Sequence, residues 1–248
     1  MSIDDRTVEA LGADVMEKLR SLHFCIVGCG GTGASFAEML VRTGALRLTL
    51  IDGSRVEDSN LNRVFNFFPE DCAKKKVEVL KKRLESIRPG CLRVSAIPDS
   101  FRKPKDILET HLVGQRARDA VCDADVVFIG TDTNGSRLAV EKLCQEENKR
   151  MYLSCGVRVD PAAGVFEFEC AWLPKTPPER EDEEGYGPKN ASFGSIVHEA
   201  VSVAFTMLLS HLKCADSSFR WHYRKYDGSL QPVETIVNQR SSDSTPQC

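Results

Sequence analysis

The chain reads as an α/β protein built on a doubly wound, mostly parallel sheet, with an antiparallel extension in its C-terminal half. Three observations predict this. The apolar run Phe24-Cys25-Ile26-Val27 breaks into Gly28-Cys29-Gly30-Gly31-Thr32-Gly33, and Ala34, Ala37, Leu40 and Val41 then fall on one helical face. A second strand-forming run, Arg47 to Ile51, ends in a carboxylate, Asp52. Farther on, Phe166, Phe168, Cys170 and Trp172 alternate with Glu167, Glu169 and Ala171, the period-two pattern of a strand with one polar face.

Strand, glycine-rich turn and helix in that order form the context in which G-x-G-x-x-G marks a Rossmann-like nucleotide site. Gly28 permits the tight turn, Gly30 lets a phosphate approach the backbone, and Gly33 allows close helix packing. Gly31 lies at the helix start, where free N–H groups and the positive end of the helix dipole favour an anion. Asp52 stands about twenty residues beyond the glycines, where a ribose presents its two hydroxyls. A nicotinamide-dependent oxidoreductase places an acidic residue here as well, so these features alone leave ATP and NAD open.

The next helix begins at Lys76, with Val77, Leu80, Leu84 and Ile87 spaced for burial and Lys74, Lys75, Lys81, Lys82 and Arg83 directed to solvent. Ala124 to Ile129 reads as a buried parallel strand that ends in the polar turn Gly130-Thr131-Asp132-Thr133-Asn134. Asp132 there suits either a divalent cation held against phosphates or the N-cap of the following helix. Arg150 to Val157 reads as another strand. Pro174 to Asn190 is rich in proline, glycine and charge, so a mobile crossover loop is expected over 174–193. Ile196 to Leu212 follows as a strongly apolar helix, with His198 and His211 as packing or surface residues. Two closing strands flank Asp227-Gly228, and a disordered tail is expected over 241–248.

The segment Asp52-Gly53-Ser54-Arg55-Val56-Glu57-Asp58-Ser59-Asn60-Leu61-Asn62-Arg63 resembles the signature of the ThiF/MoeB/HesA adenylyltransferases, the family of ubiquitin-activating-type enzymes. Asp52, Ser59, Asn60, Leu61 and Arg63 fit that pattern, while Ser54 replaces a second acidic residue and Val64 a glutamine. Cys72 to Glu78 is similar to the family's lysine segment and sets Lys76 at its phosphate-binding lysine. Arg6, six residues before Gly12, is similar to an N-terminal arginine that reaches the triphosphate of a neighbouring subunit. Asp132 matches the aspartate that holds magnesium. The resemblance implies one adenylation domain over 1–240, with a helical element over 1–23. It also implies ATP and Mg²⁺ as cofactors, Asn60, Arg63 and Lys76 on the nucleotide, and a homodimer completed by Arg6.

The substrate it implies is the C-terminal glycine of a ubiquitin-like or sulfur-carrier protein, activated as an acyl adenylate with release of pyrophosphate. Leu40-Val41-Arg42-Thr43-Gly44 and Arg88-Pro89-Gly90-Cys91 also resemble tRNA threonylcarbamoyladenosine dehydratases, for which tRNA is the partner. A non-catalytic partner subunit of the same fold is a third reading, motivated by Ser54, Val64 and the lack of a cysteine between Cys170 and Cys214, where many relatives carry an acceptor thiol.

Ten cysteines contain no C-x-x-C pair, and Glu167 and Cys170 stand where relatives carry the first pair of a zinc site, so no structural zinc is expected. Cys25, Cys155 and Cys170 sit in apolar strands as small hydrophobes, with Cys155 and Cys170 as distant candidates for an acceptor thiol. A net charge of −3 and a pI near 6.0 give no general electrostatic reason to bind nucleic acid. The N-terminus lacks an apolar signal region and no long uninterrupted apolar run occurs, so a cytoplasmic protein without a membrane span is expected.

Overall fold

The computed structural model describes residues 2–99, 114–160, 162, 164–173, 192–215 and 221–238. The expected crossover loop lies outside the described residues as far as 191, and so does the expected disordered tail.

Strand β1 (His23–Val27) is buried along its whole length. Phe24 and Ile26 point into one apolar cluster, Cys25 and Val27 into a second on the opposite face, which is why the run does not alternate in polarity. It pairs in parallel with β2 (Arg47–Ile51) and β4 (Val126–Ile129). β3 (Arg93–Ile97) adds outside β2 and β5 (Tyr152–Asp160) outside β4, again in parallel. The sheet then turns antiparallel through β6 (Val165–Leu173), β7 (Trp221–Tyr226) and β8 (Pro232–Asn238). Its order is β3-β2-β1-β4-β5-β6-β7-β8, so the chain reverses direction across the sheet between β1 and β4. In open α/β sheets, ligands bind at that switch point, beyond the carboxyl ends of the strands.

Helices α2 (Ala13–Ser21), α3 (Gly31–Thr43), α4 (Lys76–Ile87) and α7 (Gly194–Lys213) bury Leu19, Leu40, Leu80 and Leu208 in the larger cluster. Helices α5 (Gln115–Asp123) and α6 (Asn134–Glu146) cover the other face with Val121 and Val140. Phe36 of α3 stacks on Phe128 of β4 with ring centroids 3.9 Å apart. Truncating such a buried ring to alanine costs about 3–5 kcal/mol. By length and composition α7 is apolar enough to cross a membrane. Here it is a core helix, with Ile196, Val197, Ala200, Val201, Ala204 and Met207 all buried.

Two details depart from the sequence reading, and a third decides between the two roles it left open for Asp132. The N-terminal element is two helices, α1 (Asp5–Leu11) and α2, because Gly12 at φ +88° breaks the run between them. β5 runs on to Asp160 because its antiparallel partner β6 continues the ladder as far as Val165. Thr133, rather than Asp132, caps α6: its hydroxyl accepts the Ser136 N–H at 3.2 Å.

His23 is 5% exposed, with Nε2 2.9 Å from Thr49 Oγ1, and desolvation lowers its pKa below the ordinary value near 6.5. The unfolded chain therefore takes up a proton at higher pH than the folded one, and stability falls as pH drops below about 6.5. Burial lowers His198 and His222 in the same sense. Urea midpoints measured at pH 7.5 and 5.5 should show this loss, and His23→Gln should reduce it without removing it.

Candidate functional site

The site is built at the switch point. The Gly28 N–H donates to Ile51 O and the Gly130 N–H to Val27 O, both at 2.8 Å, so the turns after β1 and β4 lie against each other. A Cβ on Gly28 would sit 2.8 Å from the Gly130 backbone, and Gly28 also has φ +89°. A Cβ on Gly33 would fall 1.7 Å from Gly28 O, which is how closely α3 packs on the strand. Gly30 differs from both, since a Cβ there would meet nothing within 4 Å. The first backbone N–H of α3 to donate back is that of Ala34, to Gly30 O at 3.0 Å. The N–H groups before it are left for an anion, in the open space beside Gly30.

Asp52 follows β2 and faces the same cavity. Its Oδ2 accepts the Cys29 N–H at 2.8 Å and its Oδ1 the Ser54 N–H at 2.7 Å, so the carboxylate braces the glycine turn. Each oxygen keeps acceptor capacity for a further hydroxyl. Asn60, 6% exposed, lines the cavity from the short 3-10 turn Asp58–Asn60, with Oδ1 accepting the Glu57 N–H at 3.1 Å. Arg63 is aimed by hydrogen bonds from Nη1 to Ser59 O at 2.6 Å and to Asn62 Oδ1 at 2.9 Å. Desolvation lowers the Arg63 pKa, and the Asp132 and Glu57 carboxylates oppose that shift. Lys76 is the first residue of α4 and also lines the cavity, its backbone N–H bound to Ser54 O at 3.1 Å.

Asp132 lines the cavity as an exposed carboxylate after β4. With the cap supplied by Thr133, Asp132 has no hydrogen bond or ion pair with a described residue. Thr131 Oγ1 beside it is buried and unpartnered among the described residues. An exposed carboxylate facing the cavity at the α3 N-terminus fits a magnesium ion, which takes one or two carboxylates and completes its shell with phosphate oxygens and water. Among the described residues no three His, Cys, Asp or Glu side chains cluster as a metal site.

Sequence reasoning missed the far half of the cavity. Arg137 donates from Nε to Thr131 O at 2.9 Å and from Nη2 to Cys155 O at 3.2 Å, tying the turn that carries Asp132 to β5. The guanidinium lies where a Cβ on Gly156 would stand, 2.4 Å from it, so only glycine admits this arrangement. Beyond it, Arg158, Glu167, Glu169 and Tyr223 continue the wall. Tyr223 OH donates to Glu167 Oε2 at 2.7 Å, and Arg158 Nη1 lies 3.5 Å from Glu167 Oε1. The alternation on β6 marked Glu167 and Glu169 as a polar face; that the face lines a cavity needed the pairing with β5 and β7.

Two sets of candidates lie elsewhere. Arg6 is exposed on α1 and does not line the cavity of its own chain. Cys155 and Cys170 face each other across the ladder with sulfurs 3.6 Å apart, both fully buried, and burial pushes the Cys170 thiol well up. No described residue lining the cavity is a cysteine.

The model of the ThiF family matches residues 4–244. The chain belongs to the ThiF family. It is 28% identical over 249 residues to the sulfur carrier protein ThiS adenylyltransferase of Escherichia coli K12, covering 95% of this chain and 89% of that protein. It is 31% identical over 161 residues to ubiquitin-like modifier-activating enzyme 5 of Branchiostoma floridae, covering 62% of this chain and 38% of the relative. The match to the tRNA threonylcarbamoyladenosine dehydratase of Escherichia coli K12 is 34% over 108 residues, covering 44% and 40%. The chain thus spans about two fifths of the length of several curated relatives it matches. Among solved structures, Escherichia coli MccB with AMPCPP and MccA superposes with a TM-score of 0.69 at 21% identity, over 94% of this chain and 69% of that one. That likeness carries the fold: a mixed sheet, parallel at first and antiparallel in its C-terminal strands.

The glycines separate binding from folding. Gly30→Ala should leave the thermal midpoint within about 2 °C, since the new methyl meets open space. It should weaken ATP·Mg²⁺ binding in calorimetry about tenfold or more by obstructing the phosphate. Gly33→Ala, with its methyl driven into Gly28 O, should lose soluble folded protein altogether.

Proposed function

We propose that this chain, as one adenylation domain over 1–240, activates a carboxylate with ATP, and that the carboxylate is the C-terminal glycine of a ubiquitin-like or sulfur-carrier protein. The observation that carries this reading is that the glycine turn, Asp52, Asn60, Arg63, Lys76 and Asp132, drawn from four separate stretches of sequence, line one cavity. A dinucleotide oxidoreductase uses the glycine turn and an acidic residue but does not need the Arg63, Lys76 and Asp132 set. Retention of that set also argues against a partner subunit that has lost activity. The ThiS adenylyltransferase supports the carrier-protein substrate through its near full-length coverage.

In this reading the glycine turn and α3 N-terminus hold the phosphates, and Asp52 accepts the ribose hydroxyls. A substrate carboxylate enters along β5, β6 and β7 in line with the α-phosphate. Its oxygen forms a bond to the α-phosphorus while the bond to the bridging oxygen of the β-phosphate breaks, and pyrophosphate leaves with the electron pair. Arg63, Asn60 and Lys76 stabilise charge on the phosphoryl oxygens as it shifts toward the leaving group. Magnesium, held by Asp132, adds charge neutralisation on the phosphates when bound. Arg6 of a second copy in a homodimer supplies a further cation. The gain comes from alignment and electrostatics, since no side chain forms a bond to the substrate.

The tRNA dehydratase reading rests on the relative of that name and on two short motifs. In this fold the residues of those motifs have internal partners: Arg42 pairs with Glu38 at 2.6 Å, Gly44 caps α3 at φ +139°, and Arg88 is buried. ATP–pyrophosphate exchange separates the readings. Exchange should depend on a ubiquitin-fold protein ending in Gly-Gly and should not respond to threonylcarbamoyladenosine-modified tRNA. Lys76→Ala should lower the rate on the order of 10³-fold. Exchange stimulated by the tRNA alone would overturn the carrier-protein substrate, and full exchange by Lys76→Ala would remove the lysine from the reaction.

A further inference from the structure

Asp4 occupies the N-cap position of α1, where an aspartate ordinarily turns its carboxylate onto the free N–H groups of its own helix. Here it makes no such side-chain cap. Both carboxylate oxygens leave the helix and bind the guanidinium of Arg88, one of them accepting Arg88 Nη1 at 3.1 Å, and Arg20 of α2 adds a third contact at 3.0 Å. Arg88 itself is 7% exposed at the end of α4. Its Nε donates to Val41 O at 2.5 Å and Nη2 to Arg42 O at 3.3 Å, so it is also anchored to the last turn of α3. A buried arginine is retained only when its donors are matched, and this one has backbone on one side and Asp4 on the other.

Helix α1 has seven residues, none of them buried. So short a helix has little stability of its own and takes its position from what ties it down. Its apolar ties are Val8 and Leu11, half-buried against the larger cluster in its second half. Its first turn is held by Asp4. Arg6 lies in that first turn, two residues after Asp4, and has no hydrogen bond or ion pair with any described residue. The charged end of Arg6 is therefore presented outward by a backbone anchored two residues before it through the Asp4–Arg88 pair and two residues after it by Val8. Asp4 thus gives up its cap, worth about 1 kcal/mol, to bind a cation 84 residues away.

We infer that Asp4 and Arg88 are positioning residues for Arg6: their ion pair fixes the first turn of α1 on the body so that Arg6 meets the outer phosphates of ATP in a second copy of the chain. The inference rests on the reading of Arg6 under Proposed function. Arg88 acts through α1 and does not touch the nucleotide. The same arginine in the Arg88-Pro89-Gly90-Cys91 motif thereby has a role that does not involve tRNA.

The test uses the full chain at concentrations where it self-associates and reads calorimetric affinities for ATP·Mg²⁺ and, separately, for AMP, which lacks the outer phosphates. Arg6→Ala should weaken ATP·Mg²⁺ about tenfold and leave AMP unchanged, as expected for loss of one charge-assisted contact. Asp4→Asn should weaken ATP·Mg²⁺ about fivefold with AMP again unchanged, and Asp4→Glu should recover most of that loss. The double variant Asp4→Asn/Arg6→Ala should bind no more weakly than Arg6→Ala alone, because the two act as one unit. Unchanged ATP affinity in Arg6→Ala would overturn the Arg6 reading and this inference with it. A normal effect in Arg6→Ala beside none in Asp4→Asn would overturn the positioning role alone. Equal weakening of ATP and AMP by Asp4→Asn, or additive losses in the double variant, would reduce the pair to a general stability contact.

Discussion

The contact on which the rest depends is backbone against backbone: α3 lies so close to the end of β1 that no Cβ fits between Gly33 and Gly28 O. Three consequences follow from that separation. The N-terminus of α3 opens at the switch point, with its unpaired N–H groups beside Gly30. The turn after β4 closes on the same place through Gly130, which brings Thr131 and Asp132 alongside. Asp52 binds the Cys29 N–H and so fixes β2 in depth relative to the turn. One steric fact thus positions parts of three strand ends, and the strand order makes those ends neighbours.

Both signs of charge line the cavity that results, with Asp52 and Asp132 also at its parallel end and Arg158 at its antiparallel end. Arg63 and Lys76 stand with the α3 N-terminus at the parallel end, and Glu167 and Glu169 stand on β6 at the antiparallel end. Arg137 joins the halves, since its two carbonyl partners belong to the β4 turn and to β5. The paired Glu167, Arg158 and Tyr223 side chains stiffen the far wall. Partial desolvation of Arg63 strengthens its field toward whatever occupies the parallel end, because a half-buried cation is less screened than one in water.

Much of the fold, and the convergence of the glycine turn, Asp52, Asn60 and Arg63 on one candidate site, was legible in the sequence for a physical reason. Their determinants are local: the glycines fix a turn within six residues, Asp52 ends a strand, and Asn60 and Arg63 share a single turn of chain. β3 and α5 carry weaker patterns. β3 is an edge strand whose Arg93 and Ser95 face solvent, and α5 buries only small residues besides Val121. The antiparallel half of the site is long-range. Arg137 resembles any helix-surface arginine until β5 supplies the Cys155 carbonyl, and Gly156 resembles a weak point in a strand until Arg137 is seen lying across it. Asp132 illustrates competition between neighbours, since Thr133 takes the cap and frees the carboxylate for the cavity.

The distribution of thiols bears on what happens after activation. An acceptor cysteine must reach an acyl adenylate at the meeting point of the two halves and must ionise there. Cys29 lies within the glycine turn itself, yet it is fully buried and its thiol is held well above its ordinary range by desolvation and the Asp52 carboxylate. Cys25 is driven up by burial in the same way, and Cys155 and Cys170 share a dry pocket on the face of β5 and β6 opposite Gly156 and Glu169. The exposed cysteines, Cys91 and Cys214, do not line the cavity. On the adenylation reading, the described part of the chain therefore makes an activated acyl group without a thiolate to receive it, and transfer falls to a nucleophile brought to the cavity by another segment or another molecule.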